Sequence, residues 1–196
     1  MMYLRWVVLA ILSLVVTLVA ILLAPILPAF ARDERGQCDN ANRMAVEPRL
    51  PDWLSWFMTP DNSLWGDVGW RTKHCPDHWD SYLGMVRWLW RNPAYGFEHG
   101  PLMSASIWPD AMVGYSGNPA VRNEPNGIAG YCHTYIVNPD GSDYWHLYWV
   151  RPIGNGRCLN VNLGWKLKTY AESPQRTLTE PVAMFCFSPR VAEFAP

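Results

Sequence analysis

Lysine is scarce in this chain: three residues, Lys73, Lys166 and Lys168, in a sequence of 196. A protein that grips nucleic acid neutralises phosphates with a concentrated basic face. With a net charge of -1 and no basic cluster, nucleic acid is not expected as a partner. The five cysteines, Cys38, Cys75, Cys132, Cys158 and Cys186, are odd in number, widely spaced and contain no C-x-x-C pair. That pattern supplies neither a disulfide framework nor a zinc ribbon, and it fits a reducing compartment. G-x-S-x-G, P-loop, H-E-x-x-H and Rossmann signatures are missing too, so no motif specifies an enzyme or a cofactor.

What is abundant is tryptophan and proline, 12 and 17 residues. The first large feature is a charge-free run from Trp6 to Ala31, almost purely aliphatic between Val7 and Ala24. At about 1.5 Å per residue, eighteen to twenty such residues reach roughly the 30 Å of a bilayer's hydrocarbon core. A transmembrane helix is therefore expected, with the bilayer as a partner. The rival reading is a cleaved signal peptide, because Ala29-Phe30-Ala31 has the small-residue ending that signal peptidase accepts. Against it, the run exceeds the usual length of about 7–15 residues, and only Arg5 precedes it. Arg32, Arg35, Arg43 and Arg49 outnumber Arg5 across the span, which favours a cytoplasmic C-terminal part. A periplasmic one follows from the signal-peptide reading.

The polar stretch 32–49 reads as a linker, followed by a Trp-rich helical juxtamembrane region over 50–100 and an antiparallel β domain over 101–196. In "LPDWLSWFMTPDNSLWGDVGWR", Leu50 to Arg71, Pro51 can open a helical turn that places Trp53, Trp56 and Phe57 at i, i+3 and i+4, and Thr59-Pro60 closes it. Trp65 and Trp70 follow a Pro-Asp-Asn turn and read as wedges beneath that helix. A second helix is expected from a cap at Asp77 to Asn92-Pro93, with Trp79, Tyr82, Leu83, Val86, Leu89 and Trp90 as one apolar stripe. Arg87 and Arg91 stand four apart in its last turn, where cations suit the helix dipole and can reach lipid phosphates. Trp53, Trp56, Phe57, Trp79, Tyr82, Arg87, Trp90 and Arg91 are thus candidates for a membrane interface, where Trp and Tyr concentrate. The plainer alternative is a helix packed on its own protein.

From Met112 onward the hydrophobic period changes to two. "GIAGYCHTYIV", "DYWHLYWV" and "RCLNVNLGWKL" read as strands, and "VAMFCF" as a fourth after "YAESPQRTLTEP". With Pro139-Asp140-Gly141 and Gly154-Asn155-Gly156 as turns, an antiparallel meander follows. If 138 pairs with 141 and 154 with 155 across tight turns, His133 faces His146, and Tyr131, Tyr135, Tyr144, Tyr148, Leu159, Val161, Leu163 and Trp165 share their face. Such an imidazole pair can bind a metal or share a proton, although a buried pair satisfied by tyrosine hydroxyls is the plainer reading. The same register keeps Cys132 and Cys158 about 14 Å apart, too far for a disulfide. His74 and His78 are separated by Pro76 and cannot share one helical face, so no metal site is expected there.

The segments "LPDWLSWFMTPDNSLWGDVGWR", "VRWLWRNPAYGFEHGPL" and "GRCLNVNLGWKLK" together resemble a family of small uncharacterised membrane proteins of tailed bacteriophages and prophages, a domain of unknown function. The resemblance implies a phage-encoded single-pass protein at the inner membrane of the host bacterium, and it carries no activity. The fold class expected is α+β: an N-terminal transmembrane helix, short Trp-rich amphipathic helices and a small antiparallel β-meander. The function expected is non-enzymatic, either binding a host or phage envelope protein or modifying the envelope. Two alternatives stand beside it: an envelope-associated metal-dependent hydrolase using His133 and His146, and a lysis or superinfection-exclusion factor.

Overall fold

Residues with branched or straight aliphatic side chains and no charge after Arg5 make one uninterrupted helix, α1 (Met2–Leu23). Pro25, which disfavours helix at the residue before it, follows its end. The computed structural model describes residues 2–38, 44–173 and 181–196, and these form two compact units. One runs from Ile11 to Gly100; the other joins Met1–Ala10 to Pro101–Pro196. The chain is α+β, with α1 followed by short helices and antiparallel sheets.

In the unit of residues 11–100, the polar stretch read as a linker pairs as an antiparallel hairpin, β1 (Arg32–Cys38) with β2 (Met44–Arg49). Polarity does not bar strands from an edge, and charges cross the pair: Arg49 lies 3.9 Å from Glu34. Arg43, which entered the charge count across the span, lies outside the described residues. A 3₁₀ helix over Asp52–Phe57 follows Pro51 as expected, and buries Leu54 among Ala24, Leu27, Leu50, Met58, Leu64 and Leu89.

Helix α2 (Val68–His74) is capped by Asp67, whose carboxylate accepts the Trp70 N–H at 2.7 Å. The next helix, α3 (Tyr82–Arg91), starts at Ser81, not Asp77; the Ser81 hydroxyl accepts the Gly84 N–H at 3.1 Å. Its buried residues are Gly84, Val86, Trp88 and Leu89, whereas Tyr82, Leu83 and Trp90 are exposed. Tryptophan on both sides of the helix made the stripe ambiguous, and Trp88 took the inside by packing edge-on against Trp70 at 5.3 Å. A short α4 (Tyr95–Glu98) follows.

Gly66 holds φ +77, and a Cβ there would meet the Trp88 ring at 2.6 Å. Left-handed strain and lost ring packing together predict that Gly66→Ala destabilises the fold by about 2 kcal/mol, read from the midpoint of denaturant unfolding. An unchanged midpoint would contradict the seating of Trp88 on Gly66.

The second unit is built on a five-stranded antiparallel sheet in the order β4-β5-β6-β7-β9, formed by β4 (Met112–Gly117), β5 (Gly130–Val137), β6 (Asp143–Gly154), β7 (Arg157–Trp165) and β9 (Phe185–Glu193). A small pair, β3 (Ala105–Ser106) and β8 (Val182–Ala183), lies apart from it, and α5 (Lys168–Glu172) follows β7. Part of the expected loose connection, residues 174–180, lies outside the described residues. Strand β4 escaped the sequence reading because two of its six residues are glycine and none is buried, so it carries no clear alternation.

The register differs by one residue from the tight-turn expectation. Asn138 N–H donates to Ser142 O and Gly141 N–H to Asn138 O, with Gly141 at φ +81. This is a three-residue loop with a left-handed glycine, not a two-residue turn. Asn155 and Gly156, at φ +53 and +66, do form the two-residue turn, but a bulge between Pro152 and Gly154 shifts the ladder. His133 therefore pairs with Leu147, and His146 with Thr134 and Gly164. A one-residue slip turns every side chain of a strand to the other face. Cys132, Thr134 and Ile136 of β5 and Cys158 and Asn160 of β7 are buried, while Tyr131 and Tyr135 are exposed and Leu159, Val161 and Leu163 half-buried.

On the opposite face from His146, Trp145 and Phe185 meet the first turns of α1. Trp6 lies 5.2 Å from Trp145, 6.1 Å from Phe185 and 5.9 Å from Phe187, and Tyr3 lies 4.9 Å from Trp145. Arg5 sits over the rings of Tyr144 and Trp165 at 5.3 and 5.6 Å.

Candidate functional site

The expected interface residues divide into three groups. Near the C-terminal end of α1, Trp90 Nε1 donates to Ile21 O at 3.0 Å and the Tyr82 hydroxyl to Pro25 O at 2.7 Å. Both rings remain half exposed, so each satisfies its polar atom on protein while offering its ring outward. Trp53, 68% exposed, meets Phe30 at 5.9 Å, and Trp56, 58% exposed, meets Phe97 at 5.5 Å. Exposed Leu83 and Ile26 add aliphatic surface to the same unit.

A second group turns inward. Phe57 packs against the cluster around Leu54, and Trp79 is held between the Trp65 ring at 5.1 Å and the Arg71 guanidinium at 4.7 Å. Trp79 precedes α3 altogether, so the assumed helical spacing that grouped it with Tyr82 does not apply. Trp70 is buried against Trp88 and Cys75 and not beneath the Asp52–Phe57 helix where it was expected, and Trp65 is half-buried.

Arg87 and Arg91 form the third group. Both are exposed on α3 and line a cleft with Trp70 and His74 of α2. Arg91 lies 3.6 Å from Asp67 and 5.3 Å from the Trp88 ring centre.

The two histidines do not face one another across the strands. His133 stands on the Trp145 side of the sheet, 3.5 Å from the Tyr3 hydroxyl, while His146 points to the other face. His146 is 2% exposed. Lys168 N–H donates to its Nδ1 at 2.9 Å, which fixes the proton on Nε2, and Nε2–H donates to Asn162 Oδ1 at 2.6 Å. The Cys186 thiol donates to the same oxygen at 3.0 Å. Both imidazole nitrogens are therefore occupied, and the ring is unable to take a proton from the cysteine. Burial, reinforced by Lys168, Lys166 and His133, lowers the His146 pKa to about 4 against the support of Asn162. No group of three or more metal-ligating side chains occurs among the described residues.

A sequence model for a family described as "Family of unknown function (DUF7338)" matches residues 1–193. The chain belongs to that family. The DUF7338 match takes in α1 as well as both compact units. No curated protein and no solved structure matches the chain.

Within this DUF7338 chain, a polar network passed unnoticed in the sequence. Asn160 Nδ2 donates to Asn123 Oδ1 at 3.1 Å and to the Tyr148 hydroxyl at 3.0 Å, and that hydroxyl donates to Asn123 Oδ1 at 3.1 Å. The signal was there in "LNVNLGW": asparagine at alternate positions of a strand places two amides on one face. The assumed register turned that face outward. With the observed one, buried Asn160 and half-buried Asn162 serve as hydrogen-bonding posts for the loop before β5 and for His146.

Proposed function

We propose that this protein is a membrane-anchored, non-enzymatic binding protein, with α1 as the anchor and the aromatic rim of residues 11–100 at the bilayer surface. The observation that carries the reading is α1 itself: 22 residues, with an 18-residue window of mean hydropathy 3.0 that is only 22% buried. Leu4, Val8, Ile11, Leu14, Val15, Leu18 and Leu22 are each at least half exposed. A soluble protein rarely leaves so long an apolar surface uncovered.

Spanning has a cost here. A span puts its two ends on opposite sides of the bilayer, so insertion parts Tyr3 and Trp6 from the sheet. The hydrogen bond from the Ser13 hydroxyl to Glu98, 2.8 Å, parts as well. Four ring contacts are worth roughly 2–6 kcal/mol. Thirteen Leu, Ile and Val residues between positions 7 and 24 favour insertion by about 4–8 kcal/mol, a gain of the same order as that cost. In this reading the chain is a single-pass protein of a bacterial inner membrane, phage- or prophage-encoded, with its C-terminal part in the cytoplasm. Its partner there is a host or phage envelope protein.

Reporter fusions at each end, combined with alkaline extraction of membranes, test it. Resistance to extraction with reporters active on opposite sides is the expected result. Release of the full-length chain by alkali would overturn the anchor, and a shortened soluble product would mark a cleaved leader.

A further inference from the structure

The cleft between α2 and α3 has a composition that the anchor does not explain. Trp70 and His74 stand four residues apart on α2, Arg87 and Arg91 four apart on α3, so each pair presents neighbouring side chains along one helix face. Together they line a cavity of ≈ 390 Å³, large enough for a phosphate ester with its first substituents. Two guanidiniums set the sign of the ligand, and the His74 imidazole adds a hydrogen-bonding ring. Asp67 offsets Arg91 only at 3.6 Å, between side chains that are each nearly half exposed, where such a pair is weak. Among the described residues no carboxylate lies within 4.0 Å of Arg87. The fourth lining residue, Trp70, is 5% exposed and supplies a rigid aromatic wall. Trp88, packed between Trp70 and Arg91, carries a buried indole N–H with no acceptor among the described residues.

We propose that this cleft is a binding site for a phosphate ester, with Arg87 and Arg91 as the forked donors, His74 as a third and Trp70 as the wall for the organic part. Guanidinium forks match phosphate oxygens two at a time. Helix α3 also carries Trp90, whose indole holds the Ile21 carbonyl near the end of α1. This brings the arginines to the level of lipid headgroups when α1 is inserted, a step that rests on the anchor reading. The shared chemistry is a phosphate ester, from an anionic phospholipid or from a free phosphate compound.

The test uses the full-length chain and its Arg87→Gln and His74→Gln variants, whose side chains are exposed and leave the core untouched. The chain is mixed with vesicles of phosphatidylcholine alone or with phosphatidylglycerol, and separately with glycerol 3-phosphate followed by phosphorus NMR. Expected are at least tenfold stronger retention on the phosphatidylglycerol vesicles and a loss of that preference in Arg87→Gln. Broadening of the glycerol 3-phosphate line that Arg87→Gln abolishes, without vesicle preference, supports the site and assigns it to a free ester. Equal binding to both vesicles together with an unbroadened line overturns the cleft while leaving the anchor standing. Failure to bind any vesicle, with the NMR response intact, overturns the anchor and leaves the cleft.

Discussion

Between pH 7 and pH 4 the purified chain is expected to lose about 3 kcal/mol of stability through His146 alone. The imidazole is held neutral with its pKa lowered from 6.5 to about 4. In the unfolded chain it accepts a proton near pH 6.5, so the unfolded state binds more protons between those values. Stability is full above pH 6.5 and falls progressively towards pH 4. The structural cause is specific: a proton on Nδ1 would face the Lys168 N–H, two donors with no acceptor between them. Denaturant unfolding at pH 7, 5.5 and 4, compared between wild type and His146→Gln, isolates this contribution from the carboxylates. Parallel pH profiles in the two proteins would mean that His146 does not titrate in this range.

The second large effect is Trp165→Ala, expected to destabilise by about 3–5 kcal/mol, the usual range for truncating a fully buried tryptophan. Trp165 is 0% exposed and packs edge-on against Tyr144 at 5.1 Å and Phe185 at 6.2 Å. Its Nε1 donates to Met103 O at 2.8 Å, and that carbonyl loses its partner on truncation. Trp53→Ala is the counterpart. Its ring is 68% exposed, so truncation should stay within about 0.5 kcal/mol. Chemical denaturation of the two variants side by side decides the matter, and a costly Trp53 truncation would remove it from the exposed rim.

The contrast between those tryptophans shows what was legible in the sequence. The apolar helix, the change of period near Met112 and the turn residues could be read because each rests on local chemistry. The two-fold choice of sheet face could not. It depended on a left-handed Gly141 and a bulge before Gly154, each worth a single residue of register. That one step separated His133 from His146, moved Asn160 inside and turned Asn162 towards His146. In α3, tryptophans at 88 and 90 offered two equally apolar faces, and only the approach of Gly66 and Trp70 chose between them. The cationic cleft lay beyond sequence reasoning for a related reason: Arg87 and Arg91 could be paired by spacing, but Trp70 and His74 reach them from another helix.

The contact from Trp6 Nε1 to Cys186 O, 3.3 Å, closes a loop of 180 residues. Loops of that length form late, after the last strand has left the ribosome. At about 5–20 residues per second, synthesis of the remainder takes on the order of 10–35 s. Throughout that interval the apolar helix has been translated while its docking strand does not yet exist. The order of synthesis thus leaves α1 without the strand it packs on until translation is nearly complete.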